Sequence, residues 1–382
     1  MALNPSNLFA AFDVIDGAQD RDISPVLEAA IYYELNLLSG GINVDFGSPV
    51  YDINHIWDEE QLNPDTVTLS ASAASTDGTL TLVAGHGNRA HIGDQLYSTA
   101  AGSTEVMQIT ATASGSVTVT RSYGGTVATA LTNGTVLALI RTEQEGSDIG
   151  PDRTLNPVVR NNNTHIFSCF DLQISGSQLA RRMATNEYQD FLGRQLAARA
   201  IEMRINLTRA FLYSEKSATT GSDTAYRSMG GLRPFIRDNG GVVSASSEAL
   251  SGSVLNRDNT LVVNKGLFPD TLVIGTDLVN SLTTIDANLR RLRESDTTVG
   301  YVVQDVLLNQ GNMVTVVVDS RVKTGDYFLY KKEKVRARPM NERGMFVIAG
   351  ADWVDGKKRR IMGEWTMEVR NPEAAVYGSN KT

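Results

Sequence analysis

Four histidines occur in the 382 residues. Two of them, His86 and His91, lie with Asp94 in AGHGNRAHIGD. A His-x4-His-x2-Asp set could hold a transition metal, but structural zinc sites use other spacings and a closed set of four ligands. The surrounding glycines read instead as a hairpin turn that carries polar side chains. His55 and His165 stand alone in β-prone stretches and read as surface or interface residues. Cys169 is the single cysteine, so neither an intrachain disulfide nor a cysteine-based metal site is open to the chain. In its β-prone setting it reads as a small buried apolar group, consistent with a reducing compartment.

The glycine loops carry no recognisable chemistry either. There is no G-x-x-x-x-G-K-[ST] to cradle phosphates and no G-x-G-x-x-G between a strand and a helix. No G-x-S-x-G elbow presents a nucleophile. Carboxylates are plentiful, but acid–base work needs a pair at a set geometry. The expectation is no catalytic residue, no cofactor and no metal.

Charge is organised more tightly than chemistry. Asp58, Glu59 and Glu60 cluster in one extended stretch, and Glu143, Glu145 and Asp148 in a second. Arg181, Arg182, Arg194 and Arg199 cluster at the start of a long helical pattern, with Arg204 and Arg209 further along it. Opposite clusters on one chain suggest an intersubunit seam, acidic loop against a neighbour's helix. Two solvated faces are the plainer reading, since exposed pairs are worth about 0–1 kcal/mol each. Basic runs at Lys332, Lys334, Arg336 and Arg338, and at Lys357, Lys358, Arg359 and Arg360, are candidate nucleic-acid contacts. WVDGKKRRI also reads as a hairpin loop, because Asp-Gly favours tight turns.

These residues need elements to hold them. Residues 1–22 read as an extended arm that must pack on something else. Ser24-Pro25 opens a helix whose stripe is Leu27, Ile31, Leu35 and Leu38, stopped at Gly40-Gly41. Residues 42–64 read as extended. Between 66 and 140 charges become scarce, and short β-prone runs recur (TVTLSA, TLTLVA, EVMQIT, SVTVT, TVLALI). Glycine turns separate them, which predicts a small sandwich or barrel. Residues 141–175 are extended again, and the two extended stretches that flank the β module should pair.

The strongest helical signal runs from about Thr185 to Glu215, with Tyr188, Leu192, Leu196, Ala200, Met203, Leu207 and Phe211 on one stripe. A helix is also expected within 246–265. DTLVIG is a strand, TDLVNSLTTIDANLRRLRES a helix, and a largely antiparallel set of strands follows to the end. The class is α+β.

Composition bounds the function. Apolar residues make up 41% and charged residues 20%, which is ordinary for a globular chain. Net charge is −8, unlike proteins that grip phosphates with a basic face. The N-terminus has no secretory pattern, and no window approaches the ~20 apolar residues of a membrane helix.

The ordered set HIWDEEQL at 55–62, EVMQITATASGSVTVTRSYGGT at 105–126, EQEGSD at 143–148, FDLQISG at 170–176 and GEWTMEVRNPEAA at 363–375 resembles tailed-bacteriophage major capsid proteins of the Hong Kong 97 fold that carry a β-rich insertion in the extension loop. The resemblance implies an N-terminal arm and helix at 1–48 and an extension loop at 49–66 and 139–175. It implies an all-β insertion at 67–138, a peripheral domain with spine helix at 176–228 and 326–382, and an axial domain at 229–325. It further implies a virion protein, assembled in the bacterial host cytoplasm, whose hexamers and pentamers close an icosahedral head around double-stranded DNA without sequence-specific binding. Its partners would be itself and scaffolding, portal and decoration proteins, with no membrane and no enzymatic role. A cargo-enclosing bacterial nanocompartment shell shares that fold, and a virion protein whose β module binds a ligand is a third reading.

Overall fold

The computed structural model describes residues 8–9, 45–100, 102–145, 158–177, 191–217, 226–283, 290–292, 303–349 and 356–382. In chain order the strands begin with β1 (Leu8–Phe9), β2 (Asp45–Phe46), β3 (Asn54–Glu60), β4 (Thr66–Thr68), β5 (Thr79–Thr81), β6 (Gln95–Ser98), β7 (Val106–Ala113), β8 (Ser116–Thr120), β9 (Val136–Ile140), β10 (Val158–Thr164) and β11 (Ile166–Ser175). Then come α1 (Phe191–Tyr213), α2 (Leu232–Asp238), β12 (Val242–Ser244), α3 (Gly252–Val263), β13 (Thr271–Ile274) and α4 (Val279–Thr283). The chain finishes with β14 (Arg290–Leu292), β15 (Val303–Leu307), β16 (Met313–Val318), β17 (Tyr327–Tyr330), β18 (Val335–Pro339), β19 (Phe346–Ala349), β20 (Gly356–Val369) and β21 (Val376–Gly378). Helix and strand are mixed in one chain. The helix expected from Ser24, the residues around Thr185, and Asp148, Arg181 and Arg182 lie outside the described residues.

The chain divides into two compact units, one made of Met1–Trp57 with Asn161–Thr382 and the other of Asp58–Arg160. In the second unit the strand order is β4-β9-β6-β7-β8-β5. The two ends of that sheet meet: Val83 N donates to Thr68 O at 2.9 Å and Ser70 N to Thr81 O at 3.0 Å. The sheet is therefore closed into a small barrel, which removes its free edges. Alternation points Val67, Leu80, Leu96, Met107, Val117 and Leu137 into one apolar core. Gly87 packs so closely that a Cβ there would lie 1.7 Å from the carbonyl oxygen of Ala113.

The first unit holds two sheets. One has the order β1-β11-β20-β18-β2, with β19 also on β20. Leu8 and Phe9 join it by parallel pairing to Gln173 and Ile174. Helix α1 lies against it, about 34 Å long at 1.5 Å per residue, and buries Met203, Leu207, Phe211 and Leu212 with Ile361, Trp365 and Met367. Trp57 joins this core, its ring 5.9 Å from that of Phe235. The other sheet runs β12-β21-β17-β13-β16-β15-β14 and packs α3 over Leu272, Ile274, Val314 and Leu329. Ser251 caps α3 by accepting from the backbone N–H of Val254.

One local expectation is corrected. The helix read over 276–295 does not reach its expected end: among the described residues α4 covers Val279–Thr283, and Arg290–Leu292 form a strand antiparallel to β15. Pairing to an existing sheet edge outweighs the high helix propensity of Leu and Arg, since propensity is a weak prior that tertiary context overrides. Pairing in the C-terminal part is largely antiparallel, as the sequence suggests; the exceptions are β13, parallel to β16, and β12, parallel to β21. Long crossovers permit what adjacent hairpins do not.

Candidate functional site

Along β20 side chains alternate. Ile361, Trp365, Met367 and Val369 enter the core beneath α1, so Glu364, Thr366 and Glu368 occupy the other face. That face is buried as well, and the carboxylates are neutralised there. Glu368 receives His55 Nε2 on Oε2 at 3.0 Å, and Arg338 and Arg370 press on the same carboxylate. Glu364 is held by Arg227 Nη2 and Arg343 Nε, each at 2.8 Å. Burial alone would raise the Glu368 pKa, but His55, Arg370 and Arg338 outweigh it and hold the carboxyl down to about 2. A carboxylate so placed is a fixed anion and not a proton donor.

The same face grips β10. Asn163 donates to the carbonyls of Gly230 and Met367 at 3.0 and 2.7 Å and accepts from Gly230 N at 2.8 Å. Thr366 Oγ1 donates to Thr164 O at 3.2 Å. His165 is wholly buried, and its Nδ1 donates to Ile53 O at 2.8 Å. The neutral ring then carries its proton on Nδ1, and Nε2 has no hydrogen-bond partner. What these groups do together is mechanical. They root β10 and the residues leading into β3 on the sheet; β3 and β10 themselves pair as a two-stranded ribbon. His55, half-buried, and His165, wholly buried, are therefore polar pins within the fold, which corrects the surface half of the surface-or-interface reading.

Burial lowers the His165 pKa, ahead of the opposing pull of Ile53 O and Glu364. The unfolded chain then binds a proton near the ordinary histidine pKa of about 6.5 that the folded chain refuses. Stability contributed by this group is complete above that pH and falls below it. The urea midpoint of the wild type is expected to drop between pH 7.5 and 5.5, and His165→Asn to show a smaller drop. Equal drops in both would remove His165 from the account.

The residues singled out by charge are distributed as follows. Asp58 pairs with Arg160 across the ribbon, Nε–Oδ1 2.8 Å and Nη2–Oδ2 3.1 Å. Arg160's hydrogen bond, ahead of its charge, keeps the Asp58 carboxyl below the usual range. Glu59 and Glu60 lie on β3, and Glu143 and Glu145 are exposed in the loop after β9. Arg194 is exposed on α1, and Arg199 pairs with Glu202 one turn on at 2.6 Å. Arg160 is absent from the charge clusters read in the sequence, although facing extended stretches make a cross-strand partner for Asp58 a natural search.

His86 Nδ1 accepts from Thr68 N at 3.0 Å, and Asp94 accepts from His91 N and Thr142 N. These groups tie loops of the barrel. Cys169 is exposed and not buried, because its position on β11 faces away from α1. Lys357 to Arg360 lie within strand β20 and not in a turn; β11 pairs with all four, and β19 with Arg359 and Arg360. Arg336 and Arg338 likewise belong to β18.

A family model described as SU10 major capsid protein matches residues 17–382. No curated protein matches the sequence. Among solved structures, the capsid of Myoviridae phage XM1 is 10% identical with a TM-score of 0.47, over 94% of this chain and 96% of that one. The satellite phage P4 procapsid is 14% identical with a TM-score of 0.41, over 64% and 85%. The holo-SrpI encapsulin complex from Synechococcus elongatus is 10% identical with a TM-score of 0.41, over 59% and 78%. These structural likenesses are weak; the family match over nearly the whole chain carries the assignment.

Proposed function

The chain belongs to the SU10 major capsid protein family and is a capsid shell protein of a bacteriophage, and from that premise we propose that it assembles into hexamers and pentamers that close an icosahedral head around double-stranded DNA. The single observation that carries this reading is the family match over residues 17–382. In this reading the β3–β10 ribbon is the extension loop, at 49–66 and 139–175, and the barrel is an insertion at 67–138. Helix α1 is the spine of a peripheral domain at 176–228 and 326–382, and the α3 sheet is the axial domain at 229–325. Residues 1–48 are the arm. The role is structural and not enzymatic, exercised in the virion after assembly in the host cytoplasm, with scaffolding, portal and decoration proteins as further partners.

Physical features support self-assembly. Tyr51, Leu62, Val158 and Tyr226 are large and strongly exposed; single exposed apolar residues are ordinary, but neighbours in a shell give them a place to be buried. One chain tiles a closed surface when its contacts are ring-forming. The acidic residues Asp58, Glu59, Glu60, Glu143, Glu145 and Asp148 against a neighbour's Arg181, Arg182, Arg194 and Arg199 form the proposed seam.

Negative-stain electron microscopy of the purified chain is expected to show shells or hexameric capsomers. A monodisperse monomer at every concentration would sink the reading, and packaged protein in place of nucleic acid would turn it to a nanocompartment. Charge reversal at Glu143 and Glu145 is expected to weaken assembly, each exposed pair contributing about 0–1 kcal/mol but repeating at every copy. Shells that form as before would dismiss the seam.

A further inference from the structure

Strand β20 carries different charge at its two ends. Towards Val369 the carboxylates of Glu364 and Glu368 hold the arginines around them. Towards Gly356 four cations follow one another, Lys357, Lys358, Arg359 and Arg360. Asp171 on β11 meets Arg360, with Nη2–Oδ2 at 2.7 Å. Among the described residues none gives Lys358 or Arg359 a carboxylate partner; Arg359 Nη1 donates only to the Lys358 carbonyl, at 2.8 Å. Several arginines elsewhere do meet carboxylates, as Arg121 with Glu105, Arg160 with Asp58, Arg257 with Glu248 and Arg321 with Asp319. Lys358 and Arg359 are both half-buried.

The register gives these cations a setting. Lys358 is opposite Gln173, and Arg360 lies between Asp171 on β11 and Ile348 on β19. With Arg359 and Met362 they line a groove of about 400 Å³. Same-face neighbours on a strand are two residues apart, roughly 6.6 Å, so the positive charge is spread in a line and not gathered at one point.

We propose that this groove binds the phosphodiester backbone of double-stranded nucleic acid without reading its sequence. A line of cations suits a polymer that carries a charge at every step. Lysine, arginine and glutamine are side chains that bond to phosphate oxygens, and such bonds position a duplex without specifying it. The proposal rests on the capsid reading, which brings the genome to the protein. It refines the inference drawn from net charge: the whole-chain average of −8 hides one basic face.

The test is binding of a short duplex to the purified full chain, followed by fluorescence anisotropy over a salt series. Lys358→Glu/Arg359→Glu is expected to lower the slope of log affinity against log salt by about 2, roughly 0.9 for each phosphate that is no longer neutralised. Lys358→Gln/Arg359→Gln, which adds no repulsion, is expected to lower it in the same direction. Arg209→Glu, a reversal on the exposed side of α1, is expected to leave it unchanged. An unaltered slope in both groove variants overturns the proposal. So does an equal loss in Arg209→Glu, or displacement of the duplex by polyglutamate charge for charge, which would make the occupant an acidic protein segment. Electron microscopy of the same samples separates the two readings, because failure of the wild type to form shells removes the capsid and leaves the binding data standing.

Discussion

Arg121→Ala is expected to unfold the barrel of residues 58–160. Arg121 is the hub of that unit. Its Nε and Nη2 clasp both oxygens of Glu105 at 2.6 and 2.7 Å, and its remaining donors reach the carbonyls of Ala74, Asp77 and Thr129. Both side chains are nearly inaccessible, 9% exposed for Arg121 and 1% for Glu105. Burial would raise the Glu105 pKa, but Arg121, Thr129 and Ser122 outweigh it and keep the carboxyl below its ordinary value. Alanine strips the cation and leaves a buried anion and several carbonyls unpaired. Removing one partner of a buried pair costs about 3–5 kcal/mol, a large share of a small domain's stability. Limited proteolysis should then cut within 58–160 while the other unit resists. The deficit should shrink in acid, as Glu105 takes up a proton and the uncompensated charge disappears. A variant with the wild-type cleavage pattern would show that the fork contributes little.

Glu368→Ala is the second large effect, and it falls on the other unit. Three cationic or hydrogen-bonding groups, His55, Arg338 and Arg370, converge on a side chain with no exposed surface. Arg338 is 11% exposed and has little water to turn to, whereas Arg370 at 41% can rehydrate. The loss is about 3–5 kcal/mol by the same reasoning, towards the lower end because Arg370 recovers solvent. Glu368→Gln keeps the shape and some hydrogen bonds, and is expected to lose less. The pH dependence follows from the sign of the shift. The folded pKa lies near 2 and the ordinary value near 4.5, so the stabilisation is complete above 4.5 and is lost as pH falls towards 2. Denaturant midpoints of wild type and Glu368→Gln should therefore converge between pH 5 and pH 2.5. Parallel curves over that range would assign the carboxylate no such role. Because β3 is rooted through His55, the alanine variant is also expected to impair shell formation even where the chain still folds.

Legibility in the sequence differs by element. Helix α1 is written in its stripe: Met203, Leu207 and Phe211 are spaced to one face, and all three are buried. The strands of the barrel are equally plain, because Thr, Val and Leu alternate between glycine turns. Their pattern does not choose between sandwich and barrel, and two hydrogen bonds beyond the named strands decide it. The strand at Arg290–Leu292 reads as helix, since a three-residue edge strand has no period of its own. The pins read as surface for a related reason. His55 and His165 each show one polar residue in an apolar context, and nothing local tells a buried acceptor from open water.

What the sequence by itself determined is the type of most elements, the scarcity of catalytic constellations and the ordered resemblance to capsid proteins, because these depend on residue type and short spacing. Only the tertiary structure decided which charges meet. Glu368 finds His55 across more than three hundred positions, and Arg121 finds Ala74 and Glu105 across tens. The run Lys357 to Arg360, which reads as a loop beside Asp-Gly, instead lies in the longest strand, where β11 and β19 complete a groove. Coulomb energy and desolvation depend on distance through space and on burial, and neither quantity is carried by position along the chain.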